Sequence, residues 1–334
     1  MRETILRMFR EHNDGFIPFE EIRRNLDASS KEALDVIDAL KKEGYTFEAD
    51  DVRGYRLLTH PDTLTRWEIA SRLDTYYIGR FLDAFYRVSG STNDMLKELA
   101  DAGAPEGTCI VADIQEGGKG RRGREWVTPP PGSNIAMSIL LRPRTEPDRL
   151  SSITLAAAMA VRQTVEDMLD EAEGQEAAVL IKWPNDIVLN GGKLTGILTE
   201  LSMKEGAVSY VVVGIGINVN NEDFPEDLRG KATSMYLETG RKWSRAELTA
   251  RIFSCFEVLY GRFEAEGFAS LSREYEKQLA GLGKKAVVME RKPWTGTVMG
   301  VNEDGALLIA DEARQVHVIS SGEISIRGIN GYSP

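Results

Sequence analysis

The chain has 334 residues, 42% of them hydrophobic, and a formal net charge of -11 at pH 7. That length exceeds the usual single domain and predicts two or three, each able to bury a core. The acid excess excludes broad electrostatic attachment to nucleic acid or to an anionic membrane and leaves only local basic patches to do such work. The start, MRETILRMFR, carries charge throughout, and the apolar run near Leu155 to Val161 is too short for a bilayer, so a cytoplasmic protein with no membrane association is expected. Cys109 and Cys255 are the only cysteines and form no CxxC pair, which argues against a disulfide framework or structural zinc.

Residues 1–62 read as a separate small unit. Ile5, Leu6 and Phe9 give one helical face, Phe19 to Leu26 a second helix, and Ser30 to Lys42 a third with Ala33, Leu34, Ile37 and Leu40 on one side. Gly44 closes that helix, and Thr46 to Glu48 and Gly54 to Leu58 flank a polar turn, as in a two-stranded wing. Three helices plus a wing resemble a winged helix-turn-helix, with Ser30 opening the recognition helix. A helical interaction domain fits the same pattern. The candidate DNA contacts are Arg23, Arg24, Ser30, Lys31, Arg53 and Arg56. Glu32, Asp35 and Asp38 share the recognition helix, and residues 1–60 hold 10 Lys/Arg against 13 Asp/Glu. Counterion release, the main source of non-specific DNA affinity, is therefore weak here.

Residues 63–270 read as an α/β domain. Ser91 begins an S/T-x-x-D cap for a helix through Met95, Leu96, Leu99 and Ala100, and Thr92 and Asn93 add polar groups at its N-terminus. Capping alone explains Ser91; a polar ligand explains all three. A strand from Thr108 delivers Gln115 to the stretch QEGGKGRRGREW, residues 115 to 126. Four cations, Lys119, Arg121, Arg122 and Arg124, fall in six positions there among Gly117, Gly118, Gly120 and Gly123, with Trp126 following. Glycines let backbone N–H groups approach a ligand, and the cations ask for an anion, most naturally phosphate. A solvated basic loop is the plain alternative, and neither a Walker A loop nor a GxGxxG fingerprint is present.

Asn134 to Leu141 is expected as a strand and Ser151 to Asp170 as a long helix. LysTrpProAsnAspIle at 182 to 187 interrupts a strand with Pro184 while supplying Asn185 and Asp186. Two β-branched runs then flank Asn190-Gly191-Gly192, a hairpin signal that puts Lys193 at the start of an otherwise apolar returning strand with Gly196 and Leu198. Tyr210 to Gly214 continues as a strand to Asn218. Thr249 to Phe263 is an amphipathic core helix. From residue 271 the pattern changes to short alternating strands over 284 to 328, of SH3-like barrel size, with His317 read as a strand residue.

The ordered set SerThrAsn, Gln115 with GlyLysGlyArgArgGlyArgGluTrp, LysTrpProAsnAspIle, GlyGlyLysLeuThrGlyIleLeu and GlyIleGlyIleAsn resembles the biotin protein ligase family. With the first 62 residues, the chain is similar to its bifunctional ligase and biotin operon repressor type. The family's loop usually has arginine where Lys119 stands; lysine keeps the charge and loses the bidentate fork. The resemblance implies an α+β multi-domain fold: a winged helix-turn-helix (1–62), a biotin/lipoate-ligase-like catalytic domain with a mixed sheet (63–270) and an SH3-like β-barrel (271–334).

It also implies the chemistry. Biotin and ATP would give biotinyl-5'-AMP and pyrophosphate, and a lysine of a biotin carboxyl carrier protein would then displace AMP. Lys193, Arg121 and Asp186 would be catalytic. Ser91, Thr92, Asn93, Gln115, Lys119, Gly120, Arg121, Lys193, Gly196 and Leu198 would bind biotin. Lys119, Arg121, Arg122, Arg124, Trp126, Asn185, Asn218 and Arg327, the last in a GlyGluIleSerXArg motif at 322 to 327, would bind ATP. Mg²⁺ would enter with ATP, without a protein metal site. Biotin operon DNA and a homodimer in the adenylate-bound state are the further partners implied. A ligase without DNA binding, a non-catalytic biotin sensor and a lipoate or octanoate ligase are the alternatives.

Overall fold

The computed structural model describes residues 1–13, 15–127, 129–172, 177–289, 292–320 and 325–328, with the side chains at 148 and 325–327 outside the description. The chain opens with α1 (Arg2–Glu11), α2 (Phe19–Leu26) and α3 (Ser30–Lys42), followed by an antiparallel pair, β1 (Thr46–Asp50) and β2 (Gly54–Thr59). The helix faces expected from spacing are buried: Ile5, Leu6 and Phe9 on α1, Ile22 and Leu26 on α2, and Ala33, Ile37 and Leu40 on α3. Leu34 departs from expectation and is exposed, because it sits one step round from the stripe that Ala33 and Ile37 define. Ser29 and Glu32 form a reciprocal capping box at the start of α3. The core of this unit, with Ile17, Tyr45 and Leu57, is separate from the core of the rest.

A short helix, α4 (Arg66–Ala70), fastens this unit to the central region of the chain. Its Glu68 is 1% exposed and accepts hydrogen bonds from Arg10 at 2.7 Å, from Arg72 and from the Tyr45 hydroxyl. Burial pushes the Glu68 carboxyl up, but Arg72 and Arg10 together with the hydrogen bonds outweigh burial and hold it below the usual range. Arg7 adds a bond to the Ala70 carbonyl at 2.8 Å.

The central region runs β3 (Leu82–Val88), α5 (Thr92–Asp101), β4 (Cys109–Gln115), β5 (Asn134–Leu141), α6 (Ile153–Asp170), β6 (Val179–Lys182), β7 (Asp186–Leu189), β8 (Gly192–Lys204), β9 (Ala207–Asn218), α7 (Met235–Thr239), α8 (Arg245–Glu266) and α9 (Ala269–Lys277). The strands form a seven-stranded sheet in the order β3-β4-β5-β9-β8-β7-β6, parallel between β3 and β4 and antiparallel elsewhere. This is the mixed sheet of an α/β domain. The apolar faces of α6 and α8 pack in the large core that includes alternate residues of the central strands, while Leu96 and Ala100 of α5 pack with Ile110, Leu140 and Val212 in a smaller one. The long helix starts at Ile153, two residues later than expected, because Pro147–Ser152 form a 3-10 turn first. Trp183 to Asn185 do not merely interrupt a strand: they are the turn of a hairpin in which Lys182 faces Asp186.

The last region is a five-stranded antiparallel sheet of β10 (Lys285–Met289), β11 (Trp294–Val301), β12 (Leu307–Ala310), β13 (Val316–Ile319) and β14 (Ser325–Gly328), in the order β13-β12-β11-β10-β14. Its inner face shares the central core through Ala286, Val288, Val298 and Leu307. The Trp183 indole donates to the Gly305 carbonyl at 3.0 Å and Ser152 to the Asp304 carbonyl at 2.6 Å. The hairpin turn at 183–185 is thus braced from behind. No described helix is long and apolar enough to cross a membrane.

Glu68→Ala leaves the Arg10 and Arg72 charges uncompensated in a buried setting, a change that costs about 3–5 kcal/mol. Urea unfolding is expected to show that loss, with the first unit released before the rest; an unchanged midpoint contradicts the role. Because the Glu68 carboxyl is held low, its contribution is complete at neutral pH and is lost as pH falls through the acid range.

Candidate active site

Polar groups gather where α5 begins against the sheet. Ser91 caps the helix by accepting from the Asp94 amide at 3.1 Å. Thr92 and Asn93, both about 4% exposed, point inward: Ser138 Oγ lies 2.7 Å from Thr92 Oγ1 and 2.5 Å from Asn93 Oδ1. Asn93 Nδ2 donates to the Leu198 carbonyl at 3.3 Å and to Glu200 at 2.7 Å, and Gln115 accepts from the Thr92 amide at 3.3 Å. A side chain at Gly214 would put its Cβ 2.2 Å from Asn93 Oδ1, so β9 must carry glycine for Asn93 to reach across. The result is a compact set of donors and acceptors at one end of a cleft.

The basic stretch leaves β4 directly after Gln115. Its backbone doubles back, with Gly120 N–H bonded to the Arg124 carbonyl at 2.7 Å and Trp126 N–H to the Gly118 carbonyl at 2.9 Å, and Arg122 takes a left-handed conformation at φ 60°. Lys119 pairs with Asp94 at 2.7 Å. That hydrogen bond raises the Lys119 ammonium, while Asp94 is held low because Lys119 and Ser91 outweigh its burial. Arg121 turns inward and donates to Asn185 Oδ1 at 3.0 Å. Burial, then the charge of Arg122, lowers its proton affinity, with Asp186 opposing. Arg122 and Arg124 remain exposed.

Lys193 reaches the same cleft from β8. Asn190 and Gly191, at φ 48° and 85°, make the tight hairpin that the Asn-Gly pair predicts and start β8 at Gly192. The Lys193 backbone is bonded on both sides to residues 231 and 233, and its ammonium lies 2.7 Å from Asp186 Oδ1. Asn185 is clipped to β8 through two bonds with Ile197, both 2.9 Å, so the turn that holds Arg121 also faces Lys193. The Lys193 ammonium also lies over the Trp126 indole, 5.6 Å from the ring centroid. Cβ atoms built at Gly196 and Gly216 would come within 2.9 Å and 2.5 Å of that ring. The two glycines form a flat floor on which an aromatic plane rests.

These walls enclose a cleft of about 1630 Å³. Ligand sites for one small molecule commonly hold about 300–1,000 Å³, so this one has room for two joined end to end. Ser91, Thr92, Asn93, Gln115, Lys119, Gly120, Arg121, Arg122, Arg124, Trp126, Asn185, Asp186, Lys193, Gly196, Leu198 and Asn218 all line it. The Arg327 backbone lies in β14 opposite Val287, while its side chain and much of its motif fall outside the described residues. Arg23, Arg24, Ser30, Lys31, Arg53 and Arg56 lie in the first unit, away from the cleft. There Arg23 pairs with Glu20, Arg53 with Asp50 and Arg56 with Glu48, and Arg53 also stacks 3.9 Å over Phe16.

Sequence reasoning missed part of the wall: Lys182, Ser133 and the stretch Asn220 to Ala232 also line the cleft. It missed the scaffold beneath as well. Arg245, 1% exposed, binds Asp62 and Asp113 and donates to the Asn134 carbonyl, which ties Asp62, at the end of the first unit, to β4 and β5 of the sheet.

This geometry has known counterparts. The model of the biotin/lipoate A/B protein ligase family matches residues 84–218, and that of the biotin protein ligase C-terminal domain matches residues 285–327. The bifunctional ligase/repressor BirA of Bacillus subtilis is 37% identical over 315 residues, which is 92% of this chain and 94% of that one. The biotin–acetyl-CoA-carboxylase ligase of Paracoccus denitrificans is 32% identical over 71% of this chain and 98% of its own. The structure of the Aquifex aeolicus biotin protein ligase in complex with biotin and ATP aligns at a TM-score of 0.64 and 29% identity, covering 74% of this chain and 99% of that one. The chain belongs to the biotin protein ligase family.

The basic stretch carries four like charges among its glycines, so ligand anions should tighten it. Amide hydrogen exchange across residues 119–126 is expected to slow when biotin and ATP are added together. Equal exchange with and without them contradicts that coupling.

Proposed function

We propose that the chain joins biotin to ATP in this cleft and passes the biotinyl group to a lysine of a biotin carboxyl carrier protein. The observation that carries this reading is that Arg121 and Lys193 line one cleft with the donor-acceptor cluster and are held by adjacent residues, Arg121 by Asn185 and Lys193 by Asp186. In the first step a carboxylate oxygen of biotin attacks the α-phosphorus of ATP and pyrophosphate leaves. Both reactants are anions, so catalysis consists mainly of holding them together and neutralising the charge that builds up in between. Arg121 and Lys119 suit the carboxylate and α-phosphate. Lys193 suits the reacting oxygens, with Asp186 holding its ammonium in place. Arg122 and Arg124, exposed at the mouth, suit the outer phosphates.

In the second step the acceptor amine attacks the acyl carbon and AMP departs, its new negative charge again facing Lys193. Asp186 stands where it can orient the incoming amine. Ser91, Thr92, Asn93 and Gln115 present both donors and acceptors, as the ureido ring of biotin requires; Gly196 and Leu198 suit its aliphatic tail. Lipoate or octanoate offers no such polar ring, which disfavours that rival. A non-catalytic sensor would have no use for the paired Lys193 and Asp186. Trp126, Asn185 and Asn218 suit the nucleoside, and Arg327 belongs to the same reading. Magnesium suits the phosphates of ATP, because Mg²⁺ commonly binds through substrate phosphates.

Residues 1–62 are read as a winged helix-turn-helix, with α3 as recognition helix and β1–β2 as wing, residues 63–270 as the catalytic domain, and residues 271–334 as an SH3-like barrel. A biotin operon is the DNA expected, bound by a dimer formed in the adenylate-loaded state. The ion pairs already made by Arg23, Arg53 and Arg56 support weak phosphate attraction and a shallow salt dependence.

Lys193→Ala removes one charge donor to the transition state, a loss of about 3–4 kcal/mol, or roughly two to three orders of magnitude in the rate of pyrophosphate release. Unchanged release sinks the assignment. For the first unit, a gel shift of the adenylate-loaded protein on its own biotin-synthesis promoter in low salt is expected. No shift at micromolar protein leaves a ligase without operator binding.

A further inference from the structure

Behind the donor-acceptor cluster runs a chain of hydrogen bonds whose direction is fixed from outside the cleft. Glu200, on β8 opposite Val212, pairs with Lys97 of α5 and accepts from Asn93 Nδ2 at 2.7 Å. An ionised carboxylate only accepts, and so does the Leu198 carbonyl, 3.3 Å from the same nitrogen. The Asn93 amide is therefore held with its NH2 toward β8 and its Oδ1 toward Ser138. Ser138 is fully buried, and its Oγ lies 2.5 Å from that oxygen and 2.7 Å from Thr92 Oγ1. An amide oxygen has no proton to give, so the one Ser138 proton goes to Asn93. The contact between Ser138 and Thr92 is then a hydrogen bond only with Thr92 as the donor.

Each link removes a choice from the next. Thr92 lines the cleft, whereas Ser138 and Glu200 do not. With its single proton committed to Ser138, the Thr92 hydroxyl has lone pairs left and no donor, and it can take only an N–H or O–H from a ligand. A threonine hydroxyl outside such a chain rotates to suit either kind of group. The backbone beneath it is anchored as well, since the Thr92 amide donates to Gln115 at 3.3 Å.

We propose that Glu200 is a positioning residue that sets the hydrogen-bonding sense of the ligand pocket. Through Asn93 and Ser138 it makes Thr92 an obligate acceptor, which selects a ring N–H of the ligand over an oxygen in the same place. The inference rests on the reading of biotin as the substrate, whose ureido ring carries two N–H groups. To that reading it adds the side chain, outside the cleft, that enforces the choice.

The test compares biotin with its two cyclic carbamate analogues, each with one ring N–H replaced by oxygen, in pyrophosphate release at saturating ATP. The native protein is expected to disfavour at least one analogue roughly ten- to hundredfold in kcat/KM, the effect of setting two acceptors face to face in a buried site. Glu200→Gln keeps the shape and reverses the chain. Its oxygen stays with Lys97 and its NH2 meets Asn93, whose amide turns over against only the 3.3 Å bond to Leu198. Ser138 then donates to Thr92, the Thr92 proton is released toward the cleft, and the discrimination falls toward one. Ser138→Ala cuts the chain and lowers the same ratio by a second route. A merely structural role for Glu200 would depress the use of all three compounds alike, and an unchanged ratio in Glu200→Gln overturns the proposal. So does a native protein that uses both analogues as well as biotin. No release with biotin in the native protein refutes the ligase reading itself, and this inference with it.

Discussion

The structure turns on one electrostatic problem: a chain of net charge -11 must bring two anions into contact. Its answer is local. Lys119, Arg121 and Lys193 converge on one cleft, and each is held in the free protein by its own partner: Asp94, Asn185 and Asp186. Those partners keep the cations apart and oriented in the absence of ligand. An arriving carboxylate and phosphate can then compete for charges whose positions are already set, which is where preorganisation lowers a barrier.

Each partner is fixed from behind by the fold. Asn185 hangs from β8 and sits in a turn braced through Trp183 by the five-stranded sheet. Asp94 belongs to the first turn of α5, whose cap, Ser91, stands beside the donor-acceptor cluster. Lys193 is bonded by its backbone to residues 231 and 233, in the stretch that closes the far wall. The regions that look separable along the sequence therefore meet at the site. The Arg245, Asp62 and Asp113 network extends the linkage to the end of the first unit.

Much of this was legible in the sequence because local signals and global needs agreed. The Asn-Gly pair specified the hairpin that places Lys193, the Ser91 cap specified the start of α5, and glycines among arginines marked a stretch that lines the cleft. Four things were not. The turn at Trp183 to Asn185 reads as a broken strand until β6 and β7 are seen to pair. The wall from Asn220 to Ala232 has no periodicity, and only the position of β9 beside β5 makes it part of the cleft. Nothing near Arg245 in the sequence marks it for burial, yet it is buried against Asp62 and Asp113, partners that lie 183 and 132 residues away. Trp126 was read as a nucleoside contact; its indole rests on Gly196 and Gly216, a surface that side-chain spacing along the basic stretch does not reveal.

The central claim is that this cleft activates biotin through its carboxylate before any acceptor protein is engaged. The most direct measurement is exchange of labelled pyrophosphate into ATP by the purified chain alone. Exchange that depends on biotin, proceeds without carrier protein and is not supported by lipoate or octanoate is the predicted result. Exchange supported by octanoate in place of biotin, or none until the carrier protein is added, would contradict it.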